Sequence, residues 1–220
     1  MWNEQIIMML LEGIKDTLYM TLTSTLIGYV IGLPMGILLT VTDKDGIHPN
    51  TAVYKVLDVI ANLIRSVPFL ILLIVLIPFT RFLIGRSYGP TATIVPLVIA
   101  AAPYIARMVE SSLKEVDRGV IEAAQSMGAS VGRIIWSVLL VEARTSLLVG
   151  VTIATGTILG YSAMAGAVGG GGLGDIAIRY GYYRYQTDVM FITIIVLVLL
   201  VQILQSIGMM LSKKLDRRRS

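Results

Sequence analysis

The side chains that catalyse reactions or bind metals are scarce in this chain of 220 residues. It contains no cysteine and one histidine, His48, which lies beside Pro49 in a polar stretch. Thiol catalysis, iron–sulfur ligation, histidine metal sites and catalytic triads therefore lack their parts. The carboxylates Glu110, Glu122 and Glu142 are interpreted as a solvated face, not as converging catalytic groups. We predict no catalytic residue and no metal site, and an enzyme is the less favoured alternative.

Glycines in the second half of the chain formally match a nucleotide-binding motif. Gly169, Gly171 and Gly174 have the spacing of the fingerprint Gly-x-Gly-x-x-Gly. That fingerprint belongs to a βαβ unit, and no strand is predicted before these glycines. The phosphate-binding sequence Gly-x-x-x-x-Gly-Lys-Ser/Thr does not occur. We therefore predict a compact glycine loop and no cofactor in this chain.

The longest polar stretch, residues 107–144, contains small side chains that we predict to be exposed. Asp117 and Ser130 are suited to cap helix starts, and Gly128 is suited to end a helix. This pattern predicts a helix over about 120–127, a tight turn and a second helix. Small residues on the first helix would let it enter a cleft in a partner. The predicted contact residues are Glu122, Ala123, Ala124, Ser126 and Gly128.

The elements around this polar stretch have the composition of membrane spans. Hydrophobic residues make up 55% of the chain and charged residues 15%, and the mean hydropathy is +0.80. Apolar runs reach the roughly 20 residues that cross a bilayer as a helix. The chain is therefore predicted to be an all-α, polytopic membrane protein with a single domain over 1–220. Five spans are predicted at about 17–41, 58–80, 88–108, 142–166 and 188–212, with a cytoplasmic segment at about 109–137.

The placement of lysine and arginine predicts the orientation of these spans. The 213–219 tail and the 107–144 segment are the most basic, and the 42–55 loop carries two lysines. We predict a cytoplasmic C-terminus and an outside N-terminus. The net charge of +4 is then mainly a topology signal. The lipid bilayer is a predicted partner, and nucleic acid is not, because no basic groove or aromatic platform accompanies the charge.

Small residues and prolines indicate how the spans pack. Gly28, Gly32 and Gly36 lie on one face of the first span, where they let another helix approach closely. Simple backbone tolerance in a buried helix is the alternative. Frequent prolines in the first three spans suit a bundle that surrounds a pathway, although kinked structural helices explain them nearly as well. The tyrosines of 180–185 suit an interfacial aromatic belt or, less favourably, a ligand site.

The sequence Glu122-Ala123-Ala124, with Gly128 and then Val138-x-Leu140, resembles the EAA loop of permease subunits in bacterial ABC importers. The resemblance implies a coupling helix that docks into a separate ATPase subunit. The family pattern usually ends in Ile-x-Leu-Pro, whereas Val141 stands at the proline position here. This departure puts the local kink before the fourth span in question.

Further segments resemble the permease subunits of methionine importers: 65–69, 101–110 and 160–174, together with the length and the five-span layout. The resemblance implies the small type I importer fold and translocation of D- or L-methionine across the bacterial cytoplasmic membrane. It also implies a homodimer, two ATP-binding subunits that hold ATP and Mg, and an extracytoplasmic substrate-binding lipoprotein. The chain itself would not be an enzyme.

The substrate path is predicted near the end of the fourth span, at Tyr161, Ser162 and Met164. Tyr161 and Met164 lie three residues apart on one helical face, and a flexible thioether suits a thioether guest. Ordinary core packing is the favoured alternative for Met164. Two further alternatives stay open for the whole chain: a permease for another amino acid or a small peptide, and a membrane assembly subunit that transports nothing.

Overall fold

The computed structural model describes residues 4–215, and its long elements are all helices. Short π-helical turns occupy Ile135–Leu139 and Ala177–Tyr182, and a 3₁₀ turn occupies Gly166–Val168. The α-helices are α1 (Glu4–Thr42), α2 (Thr51–Ser66), α3 (Phe69–Val75), α4 (Ile77–Ile84), α5 (Pro90–Lys114), α6 (Arg118–Ser126), α7 (Val131–Ile134), α8 (Leu140–Glu142), α9 (Arg144–Ala165), α10 (Gly172–Ile176) and α11 (Thr187–Leu215).

The helices confirm the all-α, polytopic membrane fold. In the described part of the chain, four stretches are long and apolar enough to cross a bilayer: α1, α5, the stretch Arg144–Tyr182, and α11. The bent pair α2 and α3 makes a fifth if it counts as one span. The orientation stays a prediction. Arg217, Arg218 and Arg219, on which it partly rests, lie outside the described residues.

The predicted second span, 58–80, does not form one straight helix. The axes of α2 and α3 meet at 101°, and a further break separates α3 from α4. The cause is local, because Val67 precedes Pro68 and adopts an extended backbone with φ −84° and ψ 124°. A residue before proline avoids the helical region, since the proline ring would clash with it. The α2 helix begins at Thr51, where the Asn50 side chain caps it.

The glycine face of α1 packs directly on α5, as its spacing predicts. A Cβ placed on Gly32 would lie 2.6 Å from the carbonyl oxygen of Ala102, and one on Gly36 would lie 2.6 Å from that of Ala106. Such distances leave no room for a side chain, so the two backbones are in contact. Close approach of this kind replaces the hydrophobic force that lipid cannot supply.

Helix α5 forms the centre of the bundle. The most apolar 18-residue stretch of α5 is 78% buried, whereas that of α11 is only 6% buried. Helix α9 lies between them, and Thr152 of α9 contacts the backbone of α11 at Gly208. Pro96 and Pro103 lie inside the continuous helix α5 and do not interrupt it. One face of α11 is therefore exposed on the surface of the bundle.

The glycine loop lies at the end of α9 away from the polar segment and packs against other helices. The backbone N–H of Gly89 donates to the carbonyl of Gly169 over 2.9 Å, and the N–H of Leu173 donates to the Thr17 hydroxyl over 2.9 Å. Gly169, Gly171 and Gly172 all have positive φ angles, which favour glycine. The loop therefore ties α1, α5 and α9 together, and the compact loop predicted from the sequence is confirmed.

Candidate functional site

The polar segment folds as the capping pattern predicts. The Asp117 carboxylate accepts a hydrogen bond from the N–H of Gly119 over 2.7 Å at the start of α6. Gly128 follows α6 with φ +77°, a left-handed conformation that glycine adopts without strain. The Ser130 hydroxyl accepts from the N–H of Arg133 over 3.4 Å and caps α7. The predicted helix, tight turn and second helix are therefore present, with α6 beginning two residues earlier than expected.

The two faces of α6 differ in their surroundings. Glu122, Ala123, Ser126 and Gly128 are exposed, and their role as contact residues stays a prediction. Ala124 is only 6% exposed and packs in the core of the chain. Its assignment to the exposed set is therefore corrected, because it lies on the face that α6 turns towards the bundle. We call Glu122, Ala123, Ser126 and Gly128 the outer face of α6.

Met127 extends the outer face of α6 with a large apolar side chain. It is 81% exposed, at the end of the helix and beside the Gly128 turn. An exposed methionine is a flexible and polarisable contact for a partner surface. Met127 is not among the contact residues predicted from the sequence, although its position between Ser126 and Gly128 was a usable signal.

The helix path after α7 is irregular in spite of the absent proline. The chain makes a π-helical turn at Ile135–Leu139, forms the short helix α8, and then breaks at Ala143 before α9. Val141 thus occupies the proline position without making the segment straight. A π turn leaves a local disruption in the helix, and such turns are frequent at functional sites.

A charged network lies behind α6, at the end of α5. The Glu110 carboxylate accepts from Arg107 and from Lys114, each over 2.8 Å. Lys114 also pairs with Asp43 over 2.7 Å, and Arg107 pairs with Asp58. We call Asp43, Asp58, Arg107, Glu110 and Lys114 the charged network. Its members join α5 to α2 and to the loop after α1.

The burial of Glu110 corrects the prediction of a solvated carboxylate. It is only 5% exposed, and two cations compensate its charge. Residues three and four apart on a helix are neighbours, so the spacing of Arg107, Glu110 and Lys114 was a signal for this pairing. Its exposed counterparts Glu122 and Glu142 do remain solvated.

The network also changes the acid–base behaviour of the loop after α1. A hydrogen bond from Lys114 lowers the pKa of the Asp43 carboxyl below its ordinary value. A depressed carboxyl pKa means that ionised Asp43 stabilises the fold at neutral pH. That contribution is lost only in acid, as the pH falls through the lowered pKa. The connection between α5 and the loop is therefore intact over the physiological pH range.

A cavity of about 370 Å³ separates the loop after α1 from α6. Its charged lining includes Asp43 and Lys114 of the network and Glu122 of the outer face. Ile121 and Leu139 supply apolar walls. The space leaves α6 held to the bundle mainly along its buried face.

The predicted substrate-path residues do not share one environment. Tyr161 stacks on Phe69, with ring centroids 4.6 Å apart and an interplanar angle of 5°. Ser162 is buried, and its hydroxyl donates to the carbonyl of Leu159 over 2.7 Å. Met164 is 53% exposed, so it is not part of the core of this chain. Tyr161 also lines a cavity.

The cavity beside Tyr161 has a volume of about 200 Å³ and lies at the break between α2 and α3. Arg65 and Tyr104 contribute polar groups to its wall, and Phe69 and Leu72 contribute apolar ones. We call it the α2–α3 cavity. Arg65 and Tyr104 are not among the substrate-path residues predicted from the sequence. Arg65 is nevertheless the one charge in the apolar stretch 59–80.

The tyrosines after the glycine loop are exposed. Tyr182, Tyr183 and Tyr185 are 64%, 67% and 87% exposed, and the guanidinium of Arg184 lies 4.6 Å from the ring centroid of Tyr180. Their position at the end of the bundle away from α6 suits an aromatic belt, and a ligand site there stays the less favoured alternative.

The chain is similar to two permease proteins and to one solved structure, and it matches one family model. The chain is 48% identical over 210 residues to the probable D-methionine transport system permease protein MetI of Vibrio cholerae, covering 96% of this chain and 93% of that one. It is 45% identical to the methionine import system permease protein MetP of Bacillus subtilis, covering 92% and 91%.

A solved structure has the same fold. A chain of the MetNI methionine ABC transporter in an inward-facing conformation matches with a TM-score of 0.96 and 46% identity, over 98% of this chain and all of that one. Residues 28–220 match the family model described as the inner membrane component of binding-protein-dependent transport systems. The bundle, the outer face of α6 and these similarities together place the chain in that family of transport-system membrane components.

Proposed function

We propose that this chain is the membrane-spanning subunit of an ATP-driven methionine importer. The single observation that supports methionine as the substrate is the 48% identity to a probable D-methionine permease over nearly the whole of both chains. Two copies of the chain would form the pathway across the cytoplasmic membrane, with the N-terminus outside and the C-terminus inside. An extracytoplasmic lipoprotein would deliver the substrate.

The motor of this importer would be a separate pair of ATP-binding subunits. The chain lacks a phosphate-binding loop sequence, so ATP and Mg would bind to the partner. The outer face of α6 supports this assignment, because it is exposed, small in its side chains and anchored at Ala124. No chemical step would occur in this chain, which would act as a transport subunit.

The mechanism we propose is alternating access. The ATPase would bind the outer face of α6 and displace it differently in its nucleotide-bound and nucleotide-free states. A partner shifts a conformational equilibrium only by its differential affinity for the two states. The buried face of α6 would pass this displacement to α5, because Ala124 lies in one core cluster with Leu113, and the charged network joins α5 to α2.

A growth experiment tests the substrate and the partner together. A methionine auxotroph that lacks its own methionine importer would receive this chain with its ATPase and binding protein. We expect growth on low external methionine, and no growth when this chain is omitted. Competition by excess amino acids or small peptides then identifies a different substrate. Equal growth with and without the chain would indicate the alternative, an assembly subunit that transports nothing.

A further inference from the structure

Arg65 is an unusual residue for its position. It occupies the last turn of α2, within an apolar stretch that begins at residue 59 and continues through α3. Its side chain is exposed on the surface of this chain, and a cation within an apolar stretch is costly unless it faces water, a cavity or a partner. Arg65 does face a cavity, because it lines the space of about 200 Å³ at the α2–α3 break.

The two cations of the charged network differ from Arg65 in their pairing. Among the described residues, Arg107 and Lys114 form ion pairs and Arg65 forms none. No carboxylate lines the α2–α3 cavity. A planar guanidinium matches a carboxylate in two parallel hydrogen bonds. The cavity therefore presents a free site for one carboxylate.

The rest of the cavity wall suits the remaining parts of an amino acid. Phe69, Leu72 and Ala100 offer apolar surface to a side chain, and the Tyr104 and Tyr161 rings border the same space. Arg65 and Val67, at the end of α2, also line the cavity. A helix C-terminus carries partial negative charge on its last carbonyls, which favours an ammonium group. Broken membrane helices hold substrates in this way in transporters.

We propose that the α2–α3 cavity is a binding site for the transported amino acid and that Arg65 binds its carboxylate. This inference rests on the proposed function, and it adds a recognition residue to the transport path. It also assigns Tyr161 a place in that site through its stack on Phe69. The apolar wall then contacts the side chain of the guest, and the end of α2 faces its ammonium group.

Direct binding tests this proposal without the delivery protein. The complex of this chain with its ATPase, in lipid nanodiscs without nucleotide, would be titrated with labelled methionine up to millimolar concentrations. We expect R65Q to weaken binding on the order of tenfold or more, because charge-assisted hydrogen bonds are lost. R65K should retain part of the affinity. R81Q, which removes an exposed arginine outside the cavity, is the matched control and should bind as the wild type does.

Competition with methioninamide, which lacks the carboxylate, gives a readout that a structural role of Arg65 would not move. The wild type should prefer methionine to its amide, and R65Q should lose that preference. A preference that survives in R65Q, or absence of methionine binding by the wild type, would overturn the proposal. So would an R65Q defect found only in nanodiscs with anionic lipid, since Arg65 would then contact headgroup phosphates.

Uptake by the wild type separates this proposal from the proposed function. If proteoliposomes accumulate a different amino acid, the same competition is carried out with that amino acid and its amide. If no amino acid is accumulated, the proposed function fails, whereas the binding titration still decides the role of Arg65.

Discussion

Glu110 shows at the scale of one residue how this chain keeps a charge inside a membrane bundle. Its side chain is 7% exposed, and Arg107 and Lys114 approach it from one turn away on either side. Removing one member of a buried ion pair leaves the others uncompensated. The network is therefore expected to be more sensitive at Glu110 than at its exposed ends.

Replacing Glu110 tests this compensation. We expect E110A to lower the free energy of unfolding by about 2–3 kcal/mol, less than for a fully buried pair because Lys114 is partly exposed. Unfolding of the bicelle-reconstituted chain by SDS measures the change. E142A removes an exposed glutamate and serves as the control. Equal stability of the two variants would contradict the compensation.

Gly128 is sensitive for a different reason, its backbone conformation. No atom lies within 4 Å of a Cβ built on Gly128, yet its φ of +77° strains most side chains. We expect G128A to cost about 1–2 kcal/mol of stability. G128N should cost less, because asparagine tolerates the left-handed region. Identical unfolding curves for G128A and the wild type would show that the turn is not constrained.

Among the helices, α6 has one face packed against the bundle and one exposed face that we propose contacts a partner. Ala124 is buried against the core, whereas Ala123 beside it is exposed. The same substitution at these two adjacent positions should therefore have different effects.

A tryptophan at each position separates docking from folding. We expect A123W to abolish co-purification of the ATPase while the thermal midpoint of the isolated chain stays unchanged. A124W should lower that midpoint as well, because overpacking a core forces displacements that cost about 1–3 kcal/mol. Co-purification of the ATPase with A123W at wild-type yield would remove the outer face of α6 from the interface.

The close contact between α1 and α5 gives a second test of how the helices pack. G32A places a methyl group 2.6 Å from the Ala102 carbonyl oxygen, and we expect a loss of about 1–3 kcal/mol. G160A, in α9, has open space and no positive φ, so it should be neutral or slightly stabilising. SDS unfolding compares them. A neutral G32A would mean that the two helices can separate freely.

The elements also show which features the sequence predicts and which it does not. The caps at Asp117 and Ser130 and the turn at Gly128 depend on residues within one turn, so they were predictable. The α2–α3 cavity was not, because it brings Arg65 next to Tyr104 and Tyr161 from two other helices. The burial of Glu110 likewise depends on partners from α5 itself and on the loop and helix that cover it.

The whole molecule is a bundle with α6 at one end and the glycine loop at the other. Helix α5 is the buried axis, α1 and α9 pack against it, and α11 faces outward. The large bend between α2 and α3 lies beside the proposed binding site. The charged network joins α5 to α2, the helix that enters that bend, and to the loop after α1.

We propose that ATP hydrolysis by a partner drives methionine through this chain. Proteoliposomes containing the chain, its ATPase and a methionine-loaded binding protein measure it directly, with ATP on the side of the ATPase. We predict accumulation of labelled methionine that requires ATP, requires this chain and is abolished by A123W. Accumulation that is independent of ATP, or the absence of any accumulation by the intact complex, would contradict ATP-driven methionine import through this chain.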